Sequence, residues 1–422
     1  MTMTRVGGTL LFFSVCMLAL AGCGTEPAAS PTVASVEVVD HGPGHLDKHR
    51  TLGDPIQAGN LTVWPVYTDN PIDIGEFLTL QEAEARKVAV VRELGPVGGQ
   101  NRIVMNDNGQ QVDAPIEEQA ERTPLQQELD LRMNDQQLPS GDAAEVGRVV
   151  IENKGELPIL VVAGTIIDGG NQDRQIGQDF VIAAGDKVDV DAYCVEHGRW
   201  GQEETTASVT EFNGMQFQFS ASRAATIAPK VVRAAGQYGN DQGKVWQEVA
   251  LSNRELGTQN PTDTLMGAID EVDEKTKAAR ATYEKTIGDA FEALAMRENA
   301  PVGFAYAING KPVTVRAFAH ERILRSQLPL FVKTMAIEAQ MVAEAKEATA
   351  RCSADDMIAM VRGIQAARNA RTVHTRASNQ NVYFSNDVGF NGSCRLSGEA
   401  LRKFTNSVGP DMVIVTEDWT AK

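Results

Sequence analysis

Basic residues are in the minority in this chain. Its 422 residues include 39 Lys and Arg against 56 Asp and Glu, which gives a formal net charge of −17. Because nucleic-acid-binding proteins present a basic face to the phosphates, this balance argues against a nucleic-acid partner. Cysteines number 5 and aromatic residues reach 6%, but hydrophobic residues make up 42% and charged residues 23%. The last two fractions exclude a wholly disordered chain, a collagen and a coiled-coil rod.

Familiar catalytic and cofactor motifs are missing from the sequence. It has no Gly-Lys-Ser/Thr of a P-loop, no Rossmann glycine spacing, no Gly-x-Ser-x-Gly elbow and no His-Glu-x-x-His. His41, His45 and His49 are spaced by four residues, but Gly42-Pro43-Gly44 breaks any helix that would align them. The sequence therefore predicts no metal site, and it identifies no cofactor.

Long apolar runs are missing except at the N-terminus. There, Val6–Ala21 follows Arg5 and is too short and too glycine-rich for a membrane span, so it fits the apolar region of a secretory signal. The end of this run, Leu20-Ala21-Gly22-Cys23, resembles the lipobox of bacterial lipoproteins. An ordinary secreted protein cut nearby is the alternative.

The lipoprotein resemblance implies that residues 1–22 form a signal peptide and that Cys23 carries the lipid, a palmitate-type anchor in the cell envelope. Because Gly24 rather than Asp follows Cys23, the resemblance implies the outer membrane if the host has two membranes. Residues 23–60 are rich in Pro, Ala, Gly and Ser and are predicted to be a tether.

Three cysteines remain for the exported domain. An oxidising compartment permits disulfides, so we expect a Cys352–Cys394 bridge, with two buried thiols as the alternative. Cys194 lies in an alternating strand pattern and is expected to pack in the core.

The pattern of the remaining chain predicts an α+β fold in a single large domain, residues 61–422. Its central third is strand-rich, its last third begins with long helices, and short strands close the chain. We expect Leu61–Thr68 to be an edge strand because it contains Pro65. We also expect a hairpin at Asn309-Gly310 and a helix beginning near His320.

Two further expectations concern the middle of the chain. Residues 178–184 and 187–196 are predicted to pair as a hairpin across Gly185. One helix is predicted from Thr262 to Met296, with an apolar stripe between Leu265 and Leu294. Core packing is the ordinary interpretation of such a stripe, and a partner-binding face is the alternative.

Polar residues concentrate in two places in the strand-rich third. The first is the loop Asp168-Gly169-Gly170-Asn171-Gln172-Asp173-Arg174, in which the glycines permit close backbone approach and Arg suits a carboxylate or phosphate. The second is Cys194-Val195-Glu196-His197-Gly198-Arg199-Trp200 at a strand end, where Trp offers a stacking surface. Taken alone, the first stretch is also explained as a turn with a local Asp–Arg pair, and the second as an Arg–Trp stack with a Glu–Arg pair at a strand end.

Together these two stretches resemble the core of the ARG and rhodanese-phosphatase-superfamily-associated protein domain, over roughly Leu61 to Trp419. The resemblance implies a link to ADP-ribose or nucleotide-derived ligands, but no established activity. The candidate site residues carried over from the family are eight: Gly169, Gly170, Gln172, Asp173, Arg174, Glu196, Arg199 and Trp200.

The leading hypothesis is a lipid-anchored envelope protein that binds a small anionic or nucleotide-like ligand at these residues. A hydrolase acting on a glycosidic or phosphate bond, with Glu196 or Asp173 as base, is the first alternative. A structural adaptor that uses the Leu265–Leu294 stripe is the second. The sequence alone does not decide whether any reaction is catalysed.

Overall fold

A computed structural model provides the fold. It describes residues 42, 44–93, 102–105, 111–114, 147–170, 172–198, 218–258, 260–342, 351–366, 369–376, 379–405 and 412–422. All the folded elements fall within one structural unit, Ser35–Lys422. The expected signal peptide and the lipidation site Cys23 lie outside the described residues.

The described residues form twenty strands and nine helices. The strands are β1 Arg50–Leu52, β2 Ile56–Ala58, β3 Leu61–Thr68, β4 Leu78–Thr79, β5 Ala89–Glu93, β6 Arg102–Met105, β7 Gln111–Ala114, β8 Arg148–Asn153, β9 Ile159–Val161, β10 Ile166–Gly169, β11 Arg174–Ile176, β12 Phe180–Ile182, β13 Lys187–Cys194, β14 Gln218–Ser220, β15 Gly303–Ile308, β16 Lys311–Phe318, β17 Asn369–Arg376, β18 Asn379–Ser385, β19 Gly389–Ser397 and β20 Met412–Ala421. The helices are α1 Leu80–Ala85, α2 Ala221–Ala224, α3 Lys230–Gln237, α4 Gln242–Glu255, α5 Leu265–Asp270, α6 Glu274–Ala295, α7 Glu321–Met341, α8 Ala354–Ala366 and α9 Gly398–Thr405. Of these helices, none is long and apolar enough to cross a membrane.

Six strands from the middle of the chain close into a barrel, in the order β10, β11, β13, β8, β5, β14. Along β13, Val188, Val190 and Ala192 are buried and alternate with the partly exposed Asp189 and Asp191. The buried side chains join an apolar barrel core that includes Val91, Val149, Ile151, Ile167, Ile176 and Phe219. Alternation of buried and exposed side chains is enough to specify these strands, because each strand of a closed barrel has one face turned inward and one turned outward. The predicted α+β class with a strand-rich centre is confirmed.

A second, antiparallel sheet has nine strands. Its order is β1, β3, β15, β16, β20, β19, β18, β17, and β2 pairs with β3. The predicted hairpin between β15 and β16 is confirmed, because Asn309 and Gly310 have φ of 48° and 73°, as a two-residue type I′ turn requires. Helix α8 covers one face, and helices α6, α7 and α9 contribute to the core on the other.

The prediction that Leu61–Thr68 is an edge strand is wrong. Strand β3 pairs with β15 on one side and with β1 and β2 on the other. Pro65 is tolerated because β1 and β2 are separate strands with Gly53–Pro55 between them. The carbonyl of Pro65 accepts the Gly53 N–H at 2.8 Å on that side, so the missing proline N–H faces the break between the two strands.

The predicted hairpin of residues 178–196 is also wrong. Strand β12 pairs with β9 in a three-stranded sheet with β4, whereas β13 pairs with β8 and β11 in the barrel. The buried amide of Asn153 donates to the carbonyl oxygens of Ile182 at 3.2 Å and Ala183 at 3.0 Å. These bonds satisfy the backbone where the chain leaves one sheet for the other.

The predicted helix from Thr262 to Met296 is two helices, α5 and α6. Asp273 caps the second, since its side chain accepts the Thr276 N–H at 2.8 Å. The core interpretation of the apolar stripe is confirmed, because its main residues are buried within the chain: Leu265, Ile269, Val272, Ile287 and Phe291. The adaptor hypothesis thereby loses the surface on which it rested. Helix α7 begins after His320 as predicted.

The tether was predicted to extend to residue 60, but strands β1 and β2 lie before that boundary. Both pair with β3, and His45 forms an isolated bridge with Thr51. The folded part therefore begins earlier than residue 61. Amino-acid composition gave the wrong boundary for the tether because Gly and Pro also occur in the short turns between strands.

The expected Cys352–Cys394 disulfide is absent: among the described residues Cys194, Cys352 and Cys394 are buried, and none is bonded to another cysteine. The two residues cannot pair because they lie on opposite faces of the nine-stranded sheet. Cys394 belongs to the core on the α7 side, and Cys352 belongs to the core under α8. Burial raises the pKa of the Cys352 thiol to about 11. Cys194 lies in the core as predicted.

Candidate functional site

The Gly-Gly loop forms the turn between β10 and β11 at one end of the barrel. Gly169 and Gly170 have φ of 122° and 58°, which disfavour any other residue, so the glycines are needed for the turn itself. The Asp173 carboxylate accepts the Gly169 N–H at 3.1 Å across the turn. The loop is thus closed by one of its own side chains.

Strand pairing brings the second stretch beside this turn. Strand β11 pairs with β13 so that Arg174 lies opposite Cys194, and the Val195 N–H donates to the Asp173 carbonyl at 2.8 Å. The Glu196 carboxylate accepts the Asp173 N–H at 3.1 Å. Six of the eight candidate residues therefore lie together: Gly169, Gly170, Gln172, Asp173, Arg174 and Glu196. We call these six the barrel-end cluster.

Most side chains of the barrel-end cluster point inward. Gln172, Asp173 and Glu196 are 2%, 5% and 2% exposed, and Arg174 is fully buried. The Arg174 guanidinium donates to the Arg148 carbonyl at 3.2 Å and lies 5.6 Å from the ring centroid of Phe219 in the barrel core. Asp173 therefore supports the turn directly, and Glu196 supports it through the Asp173 N–H.

The second oxygen of Asp173 accepts the Thr264 hydroxyl at 2.9 Å, just before helix α5. A general base has to reach the proton it removes within hydrogen-bond distance. Both Asp173 and Glu196 are buried and already accept bonds from the chain. The described geometry therefore gives the hydrolase alternative no support. Arg199 and Trp200, the other two candidates, lie outside the described residues.

An exposed cation at this end of the barrel was not found from the sequence. Strand β14 pairs with β10, and Arg223 in α2 then donates to the Asp168 carboxylate at 2.6 Å and to its carbonyl at 2.9 Å. The Arg223 side chain is 48% exposed and that of Asp168 is 32% exposed. Only pairing of distant strands brings Arg223 here, and no local sequence signal marks it.

A layer of buried charged and phenolic side chains beneath the nine-stranded sheet also has no signal in the sequence. We call it the polar layer; its members are Asp179, Arg233, Tyr238, Tyr306, Arg316, Glu338 and Asp418. Arg316 donates to both Asp179 carboxylate oxygens, at 2.8 and 2.7 Å, and Thr416 also donates to Asp179. Because Asp179 lies just before β12, this ion pair joins the three-stranded sheet that contains β12 to the nine-stranded sheet.

A second group in the polar layer surrounds Asp418 and Glu338. Arg233 on α3 contacts the Asp418 carboxylate at 3.2 Å, and Tyr238 donates to the same carboxylate. Burial, together with the Asp418 charge, raises the pKa of Tyr238 well above its ordinary value. Glu338 accepts the Tyr306 hydroxyl at 2.7 Å and the Lys230 N–H at 2.5 Å.

The space beside this group is small. A cavity of about 10 Å³ lies among Arg233, Tyr306, Thr314, Thr334 and Glu338, together with apolar neighbours. That volume is about enough for one water molecule. The polar layer is therefore a set of paired structural contacts rather than a ligand pocket. Among the described residues, no group of three or more His, Cys, Asp and Glu is placed to hold a metal ion.

Comparison with known proteins identifies one family. The model of the ARG and Rhodanese-Phosphatase-superfamily-associated Protein domain matches residues 49–403, which contain the barrel, most of the nine-stranded sheet and the barrel-end cluster. No curated protein and no solved structure matches the chain.

Proposed function

The chain belongs to the ARG and Rhodanese-Phosphatase-superfamily-associated Protein domain family, and we propose that it binds a small anionic, nucleotide-like ligand at the barrel-end cluster. The ligand class is the ADP-ribose type that the resemblance implies. One observation carries the proposal: two polar stretches some twenty residues apart converge on one turn, where the Asp173 N–H meets Glu196. Loops held on a rigid scaffold are common binding sites.

In this proposal the buried side chains of the site support the turn, and the exposed side chains contact the ligand. Asp173 holds the Gly169–Gly170 turn by its hydrogen bond to the Gly169 N–H, Glu196 holds the Asp173 backbone, and Gln172 and Arg174 are buried beside them. Arg223, which is exposed beside that turn, supplies a charge-assisted contact to the anion. Arg199 adds a second cation, and Trp200 adds a stacking surface for a base, as their positions in the sequence suggest.

The binding test uses the full chain in detergent and isothermal titration with ADP-ribose, ADP and inorganic phosphate. Arg223→Gln is expected to weaken ADP-ribose binding by about tenfold, because a hydrogen bond to a charged group is lost. Arg254→Gln, an exposed arginine near the end of α4, is the matched control and should leave the affinity unchanged. Equal affinity in both variants, or no binding of any probe, rejects the proposal.

The same samples test turnover. Mass analysis of ADP-ribose after hours with the protein distinguishes a binding module, which leaves the ligand intact, from the hydrolase alternative. If product forms, Glu196→Gln should abolish it while the protein remains folded and still binds the ligand. Intact ligand throughout supports binding alone.

We also propose that Cys23 anchors the protein to the cell envelope through a lipid. The proposal rests on the Leu20-Ala21-Gly22-Cys23 motif after the apolar run. In a bacterial host, labelled palmitate should enter the wild-type protein and not Cys23→Ala, and the variant should leave the membrane fraction. Unlabelled wild-type protein in the soluble fraction would count against a lipid anchor.

A further inference from the structure

An open cleft lies on the side of the nine-stranded sheet that α8 covers. Its volume is about 550 Å³, within the range of roughly 300–1,000 Å³ that is typical of small-molecule sites. Four parts of the chain form it: the end of β1 with the Gly53–Pro55 loop, strand β3, the segment after α6, and the start of α8. None of these parts belongs to the barrel-end cluster.

The floor of the cleft is apolar and its rim is charged. Leu52, Trp64 and Cys352 lie at the bottom, and all three pack in the core under α8. Because burial raises the pKa of Cys352 to about 11, its thiol stays neutral and acts as an apolar surface rather than a nucleophile. The cleft therefore suits binding better than covalent chemistry.

Asp54, Tyr67 and Arg297 form the rim. Burial raises the pKa of Tyr67, Arg297 lowers it and Asp54 raises it, so both charges lie within electrostatic range of one phenol. Gly53 permits this arrangement, since a Cβ at that position would lie 2.6 Å from the Tyr67 ring. Asp54 and Arg297 are exposed, and among the described residues neither side chain forms a hydrogen bond or an ion pair.

The start of α8 adds no site for an anion. Ser353 caps the helix by accepting the Asp356 N–H at 3.2 Å, and the Asp356 carboxylate accepts the Ser353 N–H at 2.8 Å. The first turn of this helix is thus already occupied by a carboxylate. Arg297 is left as the one cation on the rim formed by the described residues.

We propose that this cleft binds a zwitterionic ligand with an apolar body, of the class of a free amino acid or dipeptide. Arg297 takes the carboxylate, Asp54 takes the ammonium group, and the apolar side chains rest on the floor of Leu52 and Trp64. A rim with one charge of each sign above an apolar floor matches this class, whereas a purely anionic ligand would be repelled by Asp54. This site is separate from the proposed nucleotide-like site.

The test titrates the full chain with leucyl-leucine, its C-terminal amide and its N-acetyl derivative. We expect the free dipeptide to bind about tenfold more tightly than either derivative, because each derivative lacks one charge. Arg297→Gln should remove the preference for the acid over the amide. Asp54→Asn should remove the preference for the free amine over the N-acetyl form.

Three controls separate this result from folding and from the barrel end. Asp387→Asn and Arg223→Gln, which are exposed elsewhere, should leave dipeptide binding unchanged. Ala354→Trp narrows the cleft at the start of α8 and should abolish binding, and its melting temperature, measured alongside, shows whether the variant is folded. The proposal is overturned if leucyl-leucine does not bind at millimolar concentration, or if Arg297→Gln keeps the preference for the acid.

Discussion

The inside of the barrel and the inner face of the nine-stranded sheet are both buried, yet they are built from different residues. The barrel core is built mainly from apolar side chains such as Val149, Ile151 and Val190, with the buried Arg174 guanidinium lying near Phe219. The sheet places Arg316, Asp418 and Thr416 on the face that meets α3 and the loop before β12. The barrel interior is stabilised mainly by the hydrophobic effect, which has no preferred direction. The sheet interior adds ion pairs and hydrogen bonds, which do have one.

This difference reflects what each interior has to specify. A closed barrel fixes its own strand neighbours, so alternating apolar residues of suitable size are sufficient. The sheet has to fix how α3, α7 and the chain at Asp179 pack upon it. Ion pairs and hydrogen bonds such as Asp179–Arg316 and Glu338–Tyr306 select one arrangement, because any other would leave buried charges unpaired.

The largest expected effect comes from breaking the sheet's ion pair. Asp179→Ala should lower the free energy of unfolding by about 4 kcal/mol, because it leaves the fully buried Arg316 without its carboxylate. Urea unfolding measures the change. The double variant Asp179→Ala/Arg316→Met should recover part of the loss, since no uncompensated charge then remains. A double variant less stable than Asp179→Ala would show that the pair is not the cause.

A smaller effect is expected in the barrel. Ile151→Ala should lower the free energy of unfolding by about 3 kcal/mol, through lost burial and the cavity it leaves. This loss should be the same at pH 5 and pH 7, since the side chains that pack with Ile151 in the described apolar core are hydrophobic and do not titrate. A loss that varies with pH would mean that the two interiors are coupled.

The smallest expected effect is a pH dependence of the stability contributed by Glu338, which lies beneath the nine-stranded sheet. Burial raises the pKa of Glu338 above its ordinary value, against the opposing effects of its bonds from Tyr306 and the Lys230 N–H. A carboxyl whose pKa is raised by folding contributes stability below its unfolded pKa and loses it as the pH rises through the folded value. The wild type should therefore gain stability relative to Glu338→Gln as the pH falls from 7 towards 4.5. Urea midpoints of both proteins across that range test the sign, and a constant difference would contradict it.

Local patterns predicted the local features well. The Asn309-Gly310 turn, the start of α7 after His320 and the alternation along β13 follow from neighbouring residues. The errors arose where distant partners decide. Pro65 fits a central strand because the strand beside it is interrupted. Strand β12 pairs with β9 rather than with its expected partner, and the amide of Asn153 bonds to the backbone where the chain crosses between the two sheets.

The candidate site shows the same limit. Residues 168–174 and 194–200 are selected from the sequence because glycines and charged groups cluster there, and β11–β13 pairing brings the described parts of the two stretches together. The burial of Gln172, Asp173, Arg174 and Glu196 was not predictable, since the same residue types are typical of exposed turns. Arg223 and the whole polar layer escaped notice because each member is isolated in sequence and meets its partner only across strands or helices.

The sequence by itself determined the α+β class, the strand-rich centre, the type I′ hairpin and the family to which the chain belongs. The fold class, the strand-rich centre and the hairpin depend on the order of neighbouring residues. The family depends on motifs that are recognised from the sequence alone. The tertiary structure alone decided the closure of the barrel, the Asp179–Arg316 pair and the separation of Cys352 from Cys394 by a sheet. Hydrogen bonds and ion pairs act over a few ångströms, and only the fold brings residues more than a hundred positions apart to that distance.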